Sequence, residues 1–494
     1  MAKKEKYDVI VVGAGPGGVT CGALLAKKGL RVLVLDKNER VGGKQMTVSV
    51  KGYRGELWPT GGLPVNGGSW LEAFRAIGIE SKFRASVKNI GNLYRRSGGE
   101  WLRTVTQMDP YVLPDPNVMF DQWGLNAKER EVGIQILGEI ALMPPDKINS
   151  LDDTTVREYL GRYETMPRTM YGYLAFLTHA FNVGLIDLVP ISEVVKAFQR
   201  LMGQPLGYPI GGYGRMSEDI AQVIKDCGSE IKDRTRVERI LIEDGRAAGV
   251  ITRDAVYRSP IVVSDAGIQP TVLKLVGEQH FDKGYLSYVK SLLPSNGFTG
   301  CHYILKEPVL KYGLYQVWSD DAWWDLDRQD EVKRGKMPAD LIITVLVPTN
   351  YDPEMGPPGK QLVVFGTPCS PDPADKTIAA LWKKADQQMA EMFPEIVPVI
   401  ESKGPYSGPA QVAAASRDQV LPAQGGEACG LCVTIGQCGK YKPSAKSPIV
   451  GLFYVGFDAG STAFMGSQQA VDSGLRVAPL VYHYHLEKRQ SASF

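Results

Sequence analysis

The stretch YDVIVVGAGPGGVTCGALLAKKGLRVLVLDK, Tyr7 to Lys37, decides how the rest of this 494-residue chain is read. Tyr7 to Val12, with its apolar run Val9 to Val12, reads as a strand buried on both faces of a parallel sheet. Gly15 to Lys28, with Val19, Ala23, Leu24 and Ala26 apolar, reads as a helix, and Leu30 to Leu35 as a second strand. That is a βαβ unit. Gly13, Gly15 and Gly18 set G-x-G-x-x-G between strand and helix: a tight turn, a close backbone approach to a pyrophosphate, and close helix–strand packing. The helix N-terminus turns its free N–H groups toward the phosphates. Asp36 follows Gly13 by 23 residues, where a carboxylate accepts hydrogen bonds from both adenosine ribose hydroxyls and repels a 2′-phosphate.

FAD and NAD both fit those residues. Glu39 to Thr47, ERVGGKQMT, adds Gly42 and Gly43, which let the chain pass close to an extended cofactor, and Arg40, whose charge suits a pyrophosphate.

The bulk numbers narrow the function classes. The length predicts two connected domains. With 44% hydrophobic and 22% charged residues the composition is that of an ordinary globular protein. A balance of 56 basic against 54 acidic side chains carries no electrostatic footprint for nucleic acid. The apolar run Val9 to Val12 is too short for a signal-peptide core, and no apolar stretch approaches the roughly 20 residues that span a bilayer. A cytoplasmic protein with reduced thiols at its seven cysteines is expected, with peripheral membrane contact left open.

From Tyr7 to Gly61, the G-x-G-x-x-G, Asp36, the R-V-G-G-K run and GYRGELWPTGG together resemble the FAD-dependent amine-oxidase superfamily, and within it the branch of phytoene desaturases, carotenoid isomerases and retinol saturases. The resemblance implies FAD rather than NAD. It also implies a discontinuous α/β fold: a Rossmann-like FAD-binding domain with a mixed central sheet (residues 1–85, 206–289 and 426–494) and an α+β substrate domain (86–205 and 290–425). The matching middle block is Pro209 to Thr252, a glycine turn, an amphipathic helix and two strands joined at Asp244-Gly245, with Val237 beside the adenine. The C-terminal block is SPIVGLFYVGFDAGSTAFMGSQQAVDSGLRVAPLVYHYH. There Asp458 takes the place of the acid that binds the ribityl chain, and the helix start at Gly466, Ser467 and Gln468 faces the flavin N1/O2 edge, where it stabilises negative charge. Ser461 to Gly466 departs from the glycine-rich run usual in desaturases. Carried over residue by residue, the FAD contacts are Gly13, Gly15, Gly17, Gly18, Asp36, Lys37, Arg40, Gly42, Gly43, Lys44, Thr60, Gly61, Gly62, Val237, Asp458, Gly466, Ser467 and Gln468.

Between these blocks, Thr169 to Phe198 reads as two aromatic-rich helices separated near Gly184 and Pro190. His179 is a candidate proton donor or acceptor. Glu56, Trp58, Tyr208 and Tyr213 are expected in the active-site wall, because the family's corresponding segments border the flavin. Flavin exchanges hydride at N5, so the chemistry implied is desaturation, saturation or isomerisation at the C–C or C=C bonds of a hydrophobic unsaturated small molecule. A quinone, oxygen or a redox protein would then serve as electron acceptor. A flavin amine oxidase and a flavin-free binder of prenylated proteins, like the GDP-dissociation inhibitors, are the alternatives. The stretch CGLCVTIGQC, Cys429 to Cys438, lacks an evident fourth ligand for a metal, and none is expected. Its thiols, with Gln437 and Lys440 beside them, are expected near the cofactor pocket.

Overall fold

The computed structural model describes residues 6–57, 61–64, 67–80, 83–84, 88–107, 115–201, 205–322, 325–461 and 466–491. The βαβ unit is built from β1 (Val9–Val12), α1 (Pro16–Lys27) and β2 (Val32–Leu35). Every residue of both strands is buried, as their unbroken apolar runs require of strands covered on both faces. Pro16 opens α1, where its fixed φ suits the first turn and its missing N–H has no intrahelical partner to lose.

β1 pairs in parallel with β2 on one side and with Val262–Ser264 on the other. Glu230–Lys232 extends the sheet beyond β2, and Leu452–Tyr454 beyond Val262–Ser264. All four pairings are parallel, so this five-stranded sheet gathers strands from three separated stretches of chain. Antiparallel pairing is confined to the adjoining meander of Val237–Glu243, Arg246–Thr252 and Val256–Arg258. Its first turn runs through Asp244 and Gly245, both at positive φ, as the Asp-Gly pair predicts. The C-terminal helix Gly466–Ser491 packs against α1 at small residues: a Cβ on Gly17 would lie 2.9 Å from the Ala470 carbonyl oxygen.

A second, seven-stranded sheet runs in the order Ile400–Ser407, Gly297–Leu305, Gln361–Cys369, Ile343–Leu346, Leu314–Ser319, Asn89–Arg95, Leu102–Gln107. Only the Leu314–Ser319 and Asn89–Arg95 pair is parallel. Helix Ile378–Met392 packs on the sheet through Leu381, Ala385 and Met389. Helix Arg168–Asn182 stacks Phe176 on Trp318 of the Leu314–Ser319 strand, centroids 5.5 Å apart. With Ile191–Leu201 it forms the expected helix pair. Among the described residues no helix is long and apolar enough to cross a membrane.

Candidate functional site

One cavity begins at the carboxyl ends of β1, β2 and Val262–Ser264 and continues to the seven-stranded sheet. This is the place where an open parallel sheet binds ligands. Its first part is a cradle lined by Gly13, Gly15, Asp36, Lys37, Gly43, Lys44, Gly61, Gly62, Val237, Asp458, Gly466 and Ser467. The R-V-G-G-K segment docks onto the phosphate turn, with the Gly42 N–H donating to the Ala14 carbonyl at 2.8 Å. Gly43, at φ +54°, faces Gly15 so closely that a Cβ there would lie 3.2 Å from the Gly15 Cα. Gln45, on the cavity wall, has both carboxamide atoms enclosed with no hydrogen-bond partner. A cradle of backbone N–H groups with an unsatisfied amide fits a polar, phosphate-bearing ligand such as FAD.

The acids of the cradle are restrained by the protein itself. Asp36 accepts from the Ala14 and Asn38 N–H groups, each at 2.7 Å. Burial raises its pKa in spite of those bonds. Asp458 accepts from the N–H groups of Leu431 and Ile268, both at 3.0 Å, and from Arg417 at 2.6 Å. Burial alone would push Asp458 up, but the Arg417 charge and these bonds together hold it below the usual carboxylate range. Arg417 also lies 3.1 Å from Glu427, whose backbone carbonyl accepts from Lys44. Two cations and two carboxylates thus meet in a nearly solvent-free network.

Two of its members, Arg417 and Glu427, and the neighbouring Asp265 were not singled out in the sequence. Asp265 ends the strand beside β1 and accepts from the Gly18 N–H at 3.1 Å. Its carboxyl is pushed well above the ordinary range by burial, with Asp36 and Asp458 adding to the shift. An acid at the tip of an apolar strand, SPIVVSDAG, was the only signal available for it. Arg417 carried none, because its partners lie 10 and 41 residues away.

Several of the expected residues lie off the cavity wall. Arg40 donates to the Thr47 carbonyl at 3.2 Å instead of facing the cavity. Gly17 and Gly18 serve packing: a Cβ on Gly18 would stand 2.2 Å from the Gly13 carbonyl oxygen. Gly42 lies behind Gly43, and the Gln468 carboxamide oxygen accepts from the Trp70 N–H at 3.1 Å, off the cavity surface. Lys37 lines the cavity with its ammonium 3.2 Å from Asp418, which also pairs with Arg236 and Lys274. Trp58 and Thr60 lie outside the described residues. Of the three clustered cysteines only Cys429 reaches the cavity, and burial raises its thiol to about 11. Cys432 is tied by its N–H to Leu293, Gln437 to the Leu293 backbone, and Lys440 pairs with Asp153 at the surface. Among the described residues no three His, Cys, Asp or Glu side chains gather to hold a metal ion.

The second part of the cavity is an apolar chamber walled by Phe176, Phe181, Val183, Leu201, Leu206 and Leu314. Val183, a β-branched residue at φ +50°, ends helix Arg168–Asn182 at this wall, a strained conformation of the kind concentrated at functional sites. Glu56 and His179 line the cavity, whereas Tyr208 and Tyr213 stand behind Glu56. Tyr208 donates its hydroxyl to Glu56 at 2.6 Å, the Tyr213 N–H donates at 3.0 Å, and Thr47 donates at 3.1 Å. The Gly211-Gly212 turn permits this approach, since a Cβ on Gly212 would lie 2.7 Å from the Glu56 carboxylate. Burial raises Glu56 from 4.5 to about 7 against those donors. His179 stacks on Phe298 at 6.0 Å, and burial lowers it to about 4, so it is neutral near pH 7.

The sequence profile described as flavin containing amine oxidoreductase matches residues 16–481. The chain is similar to the chloroplastic prolycopene isomerase of Daucus carota, 23% identical over 402 residues, covering 74% of this chain and 62% of that protein. It thus spans less than two thirds of that relative's length. It is also similar to the neurosporene-forming phytoene desaturase of Cereibacter sphaeroides, 23% identical over 384 residues, covering 71% of this chain and 70% of that one. Among solved structures, an oxidoreductase from Methanosarcina mazei shares the fold with a TM-score of 0.71 at 19% identity, over 95% of this chain and 99% of that one. Over most of its length this chain belongs to the flavin containing amine oxidoreductase family, a flavoprotein oxidoreductase with FAD as its cofactor.

Proposed function

We propose that the protein uses FAD to act on a C–C or C=C bond of a hydrophobic, unsaturated small molecule by desaturation, saturation or isomerisation. The observation that carries this reading is the continuity of the cradle with an apolar chamber in one cavity. The names of the carrot and Cereibacter relatives add polyenes as the substrate class to try first. Residues 1–85, 206–289 and 426–494 would form the cofactor domain, and 86–205 and 290–425 the substrate domain.

When bound, FAD supplies hydride or electron exchange at N5. The glycine turns at Gly13, Gly15 and Gly43 bring backbone N–H groups to its pyrophosphate, and Asp36 takes the adenosine ribose. Asp265, whose carboxyl burial pushes well above the ordinary range, sits beneath the phosphate turn with the Gly18 N–H donating to it. The helix start at Gly466 and Ser467 offers positive dipole to the flavin edge. Phe176, Phe181 and Leu206 exclude water from the bond that reacts. Glu56, near 7, takes or gives the proton at its carboxylate, and Tyr208 and Tyr213 position it. A net redox reaction needs an external electron acceptor, a quinone, oxygen or a redox protein.

The test is anaerobic incubation of the yellow holoprotein with polyenes, following flavin bleaching and product mass. A gain of about two mass units identifies saturation, a loss desaturation, and unchanged mass with altered retention isomerisation. A protein that stays colourless after FAD is added sinks the proposal.

A further inference from the structure

Besides Glu56, the wall of the chamber carries three polar residues, His179, Gln316 and Thr344, whose side chains have no hydrogen-bond partner among the described residues. His179 makes no hydrogen bond to any described residue, and its Nδ1 is fully enclosed. Its ring lies nearly parallel to Phe298, at 17°. Phe298 in turn lies over Gly366, where a Cβ would stand 2.5 Å from the Phe298 ring. Gly366 is the cross-strand partner of Thr344, and Thr344 of Gln316. Directly paired residues share a face of the sheet. Gln316 and Thr344 both line the cavity; their backbones pair within the sheet, and neither side chain is hydrogen-bonded to another described residue.

Enclosing a lone pair is cheaper than enclosing an N–H, so the neutral imidazole keeps its proton on Nε2. Burial, which lowers His179 to about 4, keeps the ring neutral across the physiological range. Gln316 contributes amide donors and an acceptor, Thr344 a hydroxyl. The group therefore offers dipoles and no net charge. A carboxylate or an ammonium finds no counter-charge in it, whereas a neutral oxygen finds donors and acceptors. A pure hydrocarbon would leave all three side chains unsatisfied when it expels water.

We infer that the substrate is an oxygenated unsaturated molecule whose hydroxyl or carbonyl is received by His179, Gln316 and Thr344, with its hydrocarbon body along the apolar walls. The inference rests on the proposed reaction at a hydrophobic unsaturated molecule and specifies which kind. His179 is here a recognition residue, not an acid or base.

Matched pairs test it: myrcene against geraniol, α-farnesene against farnesol, and β-carotene against zeaxanthin. Each is presented in detergent micelles to the FAD-loaded protein, and the bound ligand is separated by gel filtration, extracted and quantified. The oxygenated member of the pair that fits binds about 10-fold or more tightly than its hydrocarbon. His179→Phe removes the preference, so that the oxygenated member and its hydrocarbon bind about equally, with FAD content unchanged. Gln316→Leu does the same in part, and serves where the first variant does not fold. Equal or tighter binding of the hydrocarbon, or an equal loss for both members in the variants, overturns the inference while the proposed function stands. Retention of neither member in any pair overturns the proposed function itself, and the inference with it.

Discussion

The nucleotide cradle and the apolar chamber occupy two parts of one cavity, yet they are made in opposite ways. The cradle is built on glycines and backbone N–H groups at strand ends, with a buried network of charges bracing it from below. The chamber is built on side chains from two helices and several strands, with polar groups spared for a few positions. A ligand with a fixed structure, such as a dinucleotide, is served by backbone geometry, which no substitution on the surface alters. A variable ligand is served by side chains, which can be exchanged without changing the fold.

The sharpest way to break the cradle is Arg417→Met. It leaves Asp458 and Glu427 enclosed without their guanidinium, and removing one partner of a buried ion pair costs about 3–5 kcal/mol. A lowered urea midpoint with loss of bound flavin is expected, and an unchanged midpoint would contradict the bracing role. In the chamber the largest effect belongs to Glu56→Gln, with turnover reduced about 100-fold or more while FAD is retained. The same variant tests the proton linkage. Because the folded carboxyl is raised from 4.5 to about 7, the native state holds an extra proton between those values. Stability therefore falls as pH climbs through that window and is level above it, with a slope of at most ~1.4 kcal/mol per pH unit. Denaturant unfolding across the window should show this fall, flattened in Glu56→Gln.

Gly43→Val separates the two regions more gently. Strain at φ +54° and the contact with Gly15 weaken FAD retention by roughly 10-fold or more, at about 1–3 kcal/mol, with circular dichroism of the chamber's sheet and helices unchanged. The smallest effect is chemical. Among the seven cysteines only Cys227 is exposed, and the thiols of Cys429 and Cys432 are raised by burial to about 11 and about 12. Iodoacetamide on the native protein should add one carbamidomethyl group, located at Cys227 by peptide mass. Rapid labelling at Cys429 would mean that the cavity is open to solvent there.

How much of each region was legible follows from how local its determinants are. Gly13, Gly15 and Asp36 were readable because a tight turn, a helix start and a strand end follow one another within 24 residues of chain. The same reading overreached at Arg40, Gly42 and Gln468, where residue type and spacing suit a cofactor but the side chain or backbone is engaged elsewhere. Tyr208 and Tyr213 were attached to the right neighbourhood and the wrong side of Glu56. Along CGLCVTIGQC the thiols looked like chemistry, but hydrogen bonds to Leu293 and Ser295 show a braced loop from which Cys429 alone reaches the cavity.

Taken by itself, the sequence determined the βαβ unit, the phosphate turn and the acid at the end of β2, because φ preference, helix capping and strand periodicity act over a few residues. Only the tertiary structure decided that Arg417 neutralises Asp458, that Asp265 lies beneath Gly18, and that Gln316, Thr344 and His179 share one chamber. Charge pairing, burial and the shifts in proton affinity that follow from them depend on distances in space, and the chain sets those only once its three separated stretches have closed into one sheet.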